Sequence, residues 1–277
     1  MGQGGSSLDE FYDDYERIEV AFQAALDQSL QPRGPDLLYE IVRDLHLPPG
    51  ATALDIGCGK GQHSLRLAQD FGLAVQGIDP VSRHIELCNE RLEETATQSP
   101  ELRERVRFEI GAAEQLPLDD ASVDLILCRE MLYHVDAAQT FAECKRVLHS
   151  DGHLLIYQHF PGEGLEPREA EQQWAVLGIV AANAYAQDIE AAFNGAGFEV
   201  VKRLDLGSEF GEYSAEHSGE PGRRLLHAAR LLRAPERYVA QFGRAAYDIM
   251  LADCLWHVHR MIGKLSSGVF LLRVARS

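Results

Sequence analysis

Residues 54–61, with the sequence LDIGCGKG, place an acid and a glycine-rich turn directly after a short apolar run. Glycines let the backbone turn tightly and lie close to a ligand. A second acid, Asp79, ends the next apolar run, residues 74–78. A strand, a glycine loop, a helix and a second strand that ends in an acid form the layout of a nucleoside-binding βαβ unit, in which the second acid accepts hydrogen bonds from the ribose hydroxyls.

The details of this loop favour a nucleoside without phosphate groups. Its third glycine, Gly61, comes one residue earlier than in the dinucleotide fingerprint, and Asp55 lies two residues before Gly57. A carboxylate at that place would repel a pyrophosphate but suits a ligand with an ammonium and a sulfonium group. S-adenosyl-L-methionine (SAM) is such a ligand. We expect Asp55 to hold the loop amides, or the ligand's ammonium group through water.

Alternating strand and helix patterns around this loop predict an α/β fold. Near-continuous apolar runs, such as 123–127 and 154–157, are typical of parallel strands covered on both faces. The patterns predict strands near 51–56, 74–79, 105–111, 122–129, 152–160, 198–206 and 268–275, and helices near 11–30, 35–46, 61–70, 81–95, 136–148 and 185–195. Residues 161–175 have the composition of a polar connection.

This pattern divides the chain into three regions. Residues 1–47 form an N-terminal helical lid, and residues 48–207 with 266–277 form the nucleoside-binding core. Residues 208–265 are too many for an ordinary loop and carry apolar side chains at helical spacing. We expect this third region to be an inserted helical cap over the substrate site.

The composition narrows the partners and the compartment. A net charge of −17 argues against nucleic acid, because binding a phosphate backbone needs clustered Lys and Arg. No apolar run is long enough to cross a membrane, and the N-terminal residues lack a signal-peptide pattern. The five cysteines have no metal-binding spacing, so we expect reduced core residues, no metal site and a cytoplasmic location. The oligomeric state stays open, a homodimer included.

Four segments together resemble the class I SAM-dependent methyltransferases, most closely the ubiquinone/menaquinone-type and natural-product small-molecule enzymes. The segments are LDIGCGKG at 54–61, GIDP at 77–80, AEQLPLDDASVDLI at 113–126 and ECKRVLHSDG at 143–152. The resemblance implies a Rossmann-like, seven-stranded, mostly parallel sheet with its last strand antiparallel. It also implies SAM as the cofactor, lying over the carboxyl ends of the first strands.

The resemblance assigns the contacts with SAM to residues at the strand ends and on the lid. At the methionine end, the carbonyl groups of Cys128 and Arg129 accept from the ammonium, and Gly57, Cys58 and Gly59 run along the methionine and ribose. At the other end, Asp79 binds the ribose, and Pro80 and the N–H of Ala113 contact the adenine. Tyr12 is similar to the lid tyrosines that close over SAM in some members.

One position departs from the family pattern. The residue before Ala113 is usually Asp or Asn, which grips the adenine amino group, but this chain has Ala112. Losing one hydrogen bond weakens SAM binding by about 1–2 kcal/mol unless Glu114 or a water molecule replaces it.

The segment after the fourth strand carries the candidate catalytic residue, His134. Histidine titrates near neutral pH, so His134 could take a proton from a hydroxyl group during methyl transfer. The alternative is that His134 orders the loop and contacts SAM without moving a proton. The expected substrate contacts are Tyr133 beside it, His159 near the end of the fifth strand, and Phe242 and Trp256 in the cap.

These features predict a SAM-dependent methyltransferase that acts on a small, partly apolar acceptor of aromatic, polyketide or isoprenoid type. His134 favours O-methylation in natural-product biosynthesis. C- or N-methylation by the same fold is the first alternative. A cyclase or decarboxylase in which SAM only shapes the pocket, and a non-catalytic partner subunit, are the others.

Overall fold

The computed structural model of the protein describes residues 8–275, without the side chains of residues 8–11, 13 and 16. The chain forms two compact units, divided after Pro32. The first unit contains helix α1 (Leu8–Leu26), on which Tyr12 lies. The contact of Tyr12 with SAM stays a prediction.

The second unit is built on one seven-stranded sheet. Its strands are β1 (Thr52–Ile56), β2 (Ala74–Asp79), β3 (Val106–Ile110), β4 (Val123–Arg129), β5 (Leu148–Pro161), β6 (Phe198–Asp205) and β7 (Leu265–Val274). They lie in the order β3-β2-β1-β4-β5-β7-β6, and β7 is antiparallel to both of its neighbours, whereas the other described pairs are parallel. The predicted fold class is confirmed.

Eleven further α-helices belong to the described part of the second unit, and the last four of them lie between β6 and β7 in the chain. They are α2 (Asp36–Asp44), α3 (Gln62–Phe71), α4 (Ser82–Ala96), α5 (Leu102–Arg105), α6 (Ala137–Val147), α7 (Pro167–Leu177), α8 (Ala186–Ala196), α9 (Glu209–Ser218), α10 (Glu220–Arg233), α11 (Pro235–Phe242) and α12 (Arg244–Met261). Helices α9 to α12 fill the segment that was expected to be helical. No described helix is long and apolar enough to cross a membrane.

Both faces of the sheet are buried, which explains the continuous apolar runs of its strands. Leu54 and Ile126 belong to the core on the face covered by α6 and α8. Ala53 and Leu125 belong to the core on the opposite face, together with Leu38 of α2. Each fully buried leucine contributes roughly 2 kcal/mol to folding. Helix α2, which the sequence grouped with the lid, therefore packs into the core of the second unit.

The prediction of a polar connection over 161–175 is wrong, because α7 occupies most of it. The Glu166 side chain accepts a hydrogen bond from the backbone of Glu169, and the Glu169 side chain accepts one from the backbone N–H of Glu166. This reciprocal capping satisfies amides that a helix start leaves unpaired, and Pro167 suits the first helical turn. The run Glu166-Pro167-Arg168-Glu169 is a local signal that hydrophobic periodicity does not detect.

Candidate functional site

The glycine loop after β1 is tied to the end of β2. The backbone N–H groups of Gly57 and Cys58 both donate to the carbonyl oxygen of Ile78, at 2.9 and 3.0 Å. Gly57 has φ +70, and a Cβ there would lie 2.7 Å from Cβ of Met131. Gly59 has φ +55, and a Cβ there would meet nothing within 4 Å. The loop is therefore closely packed at Gly57 and open at Gly59, which leaves space for a ligand along its backbone.

Asp79 is buried beside this loop, at the carboxyl end of β2. Its Oδ2 accepts a hydrogen bond from the Gly59 N–H at 3.0 Å. Its Oδ1 accepts from the Val81 N–H at 2.9 Å and lies 3.0 Å from Nδ1 of His84. A carboxylate has about four acceptor positions, so these contacts leave one for an incoming hydroxyl. The sequence does not predict His84 at the site, because a histidine five residues after an acid belongs to no known binding motif.

Asp55 holds the helix that follows the loop. Its Oδ2 accepts a hydrogen bond from Oγ of Ser64 on α3 at 2.6 Å. Burial raises the pKa of Asp55 to about 6, and the bond from Ser64 opposes that rise. Cys58 is also buried, with its Sγ 3.9 Å from Sγ of Cys88. Asp55, predicted to bind the loop amides, thus accepts a hydrogen bond from a side-chain hydroxyl group.

The segment expected around the adenine lies after β3. Ala113 is buried, and Ala112 and Pro80 are exposed. Oε1 of Glu114 accepts a hydrogen bond from the backbone N–H of Asp136 at 3.0 Å. Asp136 in turn caps α6 by accepting from the backbone of Gln139. Glu114 therefore orders the start of α6 through Oε1, and its role as the replacement acceptor for the adenine amino group stays a prediction.

Glu130 follows β4 and Arg129 in a left-handed conformation, with φ +53. This conformation costs a non-glycine residue about 1 kcal/mol. Its backbone N–H donates to the carbonyl oxygen of Tyr157 at 2.9 Å, which fixes the turn against β5. Its side chain lies between Nε2 of His159, at 3.0 Å, and Nη2 of Arg129, at 3.2 Å. Glu130 was not predicted, although an acid directly after a strand end is a signal of the same kind as Asp79.

His159 lies in a buried network beneath the site and is 1% exposed. Its Nε2 faces Glu130 and lies 3.2 Å from the Tyr157 hydroxyl, and its Nδ1 lies 3.0 Å from Oγ of Ser267. Burial lowers the pKa of His159 to about 4, against the opposing charge of Glu130. A neutral ring with both nitrogens bonded to protein groups holds its neighbours in place and does not face a substrate directly in this structure.

Glu130 itself keeps its charge. Burial would raise the pKa of the Glu130 carboxyl, but the charge and hydrogen bond of His159 and the guanidinium groups of Arg129 and Arg260 lower it below its usual range. The Tyr133 hydroxyl donates to the carbonyl oxygen of His159 at 2.7 Å. The ends of β4 and β5 are thus joined by buried polar contacts.

A cavity of about 220 Å³ lies above this network, and we call it the acceptor cavity. Its lining residues are Glu130, Tyr133, His134, Leu177, Ile179, Asp253 and Trp256. Trp256 packs edge-on against Tyr133, with ring centroids 5.6 Å apart. Nδ1 of His134 lies 3.0 Å from the carbonyl oxygen of Gly178. Three of the predicted residues, Tyr133, His134 and Trp256, therefore meet here.

Phe242 is not part of this cavity, so the structure does not bring it together with Tyr133, His134 and Trp256, and its contact with substrate stays a prediction. It ends α11, is 61% exposed, and lines a separate cavity among the cap helices. The helical spacing that grouped it with Trp256 spans the break between α11 and α12 at Gly243, where φ is +84. No cluster of three or more His, Cys, Asp or Glu side chains in the described part of the chain could hold a metal ion.

The chain is similar in sequence to known methyltransferases. Residues 54–156 match the family described as "Methyltransferase domain". Over 196 residues the chain is 30% identical to phosphoethanolamine N-methyltransferase 2 of Caenorhabditis elegans, covering 69% of this chain and 42% of that protein. It is 28% identical to O-methyltransferase rstn1 of Aspergillus nomiae, covering 71% of this chain and 81% of the relative.

The solved structures give the same fold. The crystal structure of the [4+2]-cyclase SpnF has a TM-score of 0.66 to this chain at 21% identity, covering 87% of this chain and 80% of that one. The chain spans less than half the length of several curated relatives, 42%, 30% and 40% in three of them.

Proposed function

We propose that this chain transfers the methyl group of SAM to a hydroxyl group of a small, partly apolar molecule, because residues 54–156 match the family described as "Methyltransferase domain". The observation that carries the proposal is the position of the acceptor cavity at the end of β4, which pairs with the strand that leads into the glycine loop. The five buried thiols suit a reducing cytoplasm.

The residues at the sheet edge suit SAM. Gly59 offers an open backbone surface, and Asp79 has one acceptor position left for a ribose hydroxyl. Ala113 would offer its N–H to the adenine, and the carbonyl groups of Cys128 and Arg129 would accept from the methionine ammonium. When bound, SAM supplies a methyl group on a sulfonium, which is already a good leaving group.

His134 is the general base of the proposed reaction. A carbonyl oxygen only accepts hydrogen bonds, so the contact with Gly178 requires a proton on Nδ1 of His134. The neutral ring then keeps a lone pair on Nε2, which can accept the proton of an acceptor hydroxyl as the methyl group is transferred. Leu177, Ile179 and Trp256 supply the apolar wall for the rest of the acceptor.

Transfer of labelled methyl from SAM tests the proposal, with phenols, alcohols, amines and prenyl compounds as acceptors. We expect label in a hydroxyl compound. The His134→Ala variant should lose about 100-fold or more in turnover, with unchanged affinity for S-adenosylhomocysteine. His46→Ala, at an exposed histidine, is the matched control. Full turnover of His134→Ala across the pH range would exclude the base.

N-methylation is the second candidate, and one observation favours it. The acceptor cavity carries two carboxylates, Glu130 and Asp253, together with the aromatic rings of Tyr133 and Trp256. Carboxylates and aromatic rings both attract a cationic amine. Label in an amine of the same panel, with His134→Ala still active, would select this candidate. A product of unchanged mass would instead select a cyclase or decarboxylase.

A further inference from the structure

A third cavity, of about 280 Å³, lies among the end of β4, α9 and α12 and is rich in guanidinium and hydroxyl groups. It is lined by Arg129, Ser214, His217, Ser218, His257 and Arg260, among others. We call it the anion pocket. Its lining includes one carboxylate, Glu220, which also pairs with Arg224 at 3.4 Å. Positive charge therefore exceeds negative charge around this cavity.

The two arginines of the anion pocket lack acceptors for part of their guanidinium groups. The Nε atoms of Arg129 and Arg260 are both buried, and neither has a hydrogen-bond partner among the described residues. No ion pair to Arg260 is found in the described part of the chain, and Arg129 pairs with Glu130 through Nη2. Buried polar groups normally have a partner, so two unpaired donors beside one cavity indicate a missing acceptor.

We propose that the anion pocket binds a phosphate, carboxylate or sulfate group of a ligand at the active site. Guanidinium groups match the geometry of such oxyanions and bind them with paired hydrogen bonds. The hydroxyl groups of Ser214 and Ser218 add further donors. The proposal rests on the proposed function, because the anion belongs either to the methyl acceptor or to the methionine carboxylate of SAM.

The two cavities are lined by neighbouring residues of the same two segments, the end of β4 and helix α12. Arg129 lines the anion pocket and Glu130, the next residue, lines the acceptor cavity. On α12, Asp253 and Trp256 line the acceptor cavity, whereas His257 and Arg260 line the anion pocket. One helical turn spans about 5.4 Å, so the proposed ligand carries its anion about that far from the atom that gives or receives the methyl group.

Calorimetry on the full chain tests the pocket and its source of anion. Inorganic phosphate, S-adenosylhomocysteine and 5′-methylthioadenosine, which lacks the carboxylate, are titrated into the unchanged protein and Arg260→Gln. Arg223→Gln is the matched control, because Arg223 is an exposed arginine of α10 outside the pocket. Arg260→Lys keeps the charge without the planar fork and serves if Arg260→Gln does not fold.

Two results support the pocket and distinguish its ligands. Weakening of phosphate binding by about 10- to 100-fold in Arg260→Gln, with S-adenosylhomocysteine unaffected, assigns the pocket to the acceptor's anion. The same loss for S-adenosylhomocysteine, but not for 5′-methylthioadenosine, assigns it to the cofactor's carboxylate. Unchanged affinity for all three ligands overturns the pocket. If the unchanged protein binds neither nucleoside, the proposed function fails, and the phosphate titration alone decides the pocket.

Discussion

The glycine loop after β1 and Asp79 at the end of β2 form one region, which we call the cofactor edge because it lies at the carboxyl ends of these strands. It is held mainly by hydrogen bonds that its backbone N–H groups donate to the end of β2. Gly57 and Cys58 bond to Ile78, and Gly59 bonds to Asp79. The acceptor cavity is held instead by side chains from distant segments, such as Glu130 with His159 and Trp256 with Tyr133. The loop is therefore set by backbone bonds and one carboxylate, Asp79, whereas the acceptor cavity is set by several side chains and can change its ligand by substitution.

The largest expected effect breaks the cofactor edge at Asp79. Asp79→Ala removes the acceptor of the Gly59 and Val81 amides as well as the proposed contact with the ribose. Each hydrogen bond to a charged group contributes about 1.5–3 kcal/mol, so we expect affinity for S-adenosylhomocysteine to fall about 100-fold or more by calorimetry. Asp119→Ala, at an exposed acid, is the control. Equal affinity in the two variants would remove Asp79 from the ligand site.

The same contrast explains what the sequence could predict. The glycine loop, Asp79 and the seven strands follow from spacings within a few tens of residues, which short motifs and periodicity record. Glu130, Ile179 and Trp256 meet only through the topology of the sheet and the packing of α12. Phe242 shares the apolar spacing of its segment but lies beyond a break that this spacing does not reveal. Prediction fails where tertiary packing, and not local pattern, selects the residue.

Acid should destabilise the network below the acceptor cavity. The pKa of His159 is lowered by burial to about 4, and an unfolded histidine titrates near 6.5. Between these values the unfolded chain binds more protons, so stability falls as the pH drops from about 6.5 to 4. His159→Gln should remove about 3 kcal/mol of that fall, measured by urea unfolding at several pH values.

His63 is a second buried histidine that makes the folded protein sensitive to acid. Its pKa is also lowered by burial to about 4, so His159→Gln should retain the part of the pH dependence that belongs to His63. Glu130, whose pKa is lowered, contributes its own loss only below about pH 4.3, at the lower end of this window. An identical pH dependence in His159→Gln and the unchanged protein would contradict a buried neutral His159.

Asp55 should give the opposite sign at the cofactor edge. Burial raises its pKa to about 6 from an unfolded value near 3.9, so the folded state holds the proton more tightly. Titration of Asp55 taken alone therefore lowers stability as the pH rises from about 4 to 6, opposite in sign to the contribution of His159. Asp55→Asn keeps an acceptor for Ser64 and should gain about 3 kcal/mol relative to the unchanged protein over that interval. A constant difference at all pH values would contradict the raised pKa.

The smallest expected effect is a change in KM that distinguishes a residue of the acceptor cavity from a residue elsewhere in the cap. Trp256 lines that cavity, whereas Phe242 is exposed and lines another. Trp256→Phe removes part of an apolar wall worth about 1 kcal/mol, so KM for an acceptor should rise about fivefold while kcat and S-adenosylhomocysteine affinity stay unchanged. Phe242→Ala should leave all three unchanged. A higher KM for Phe242→Ala, with the KM of Trp256→Phe unchanged, would instead place the acceptor in the separate cavity among the cap helices that Phe242 lines.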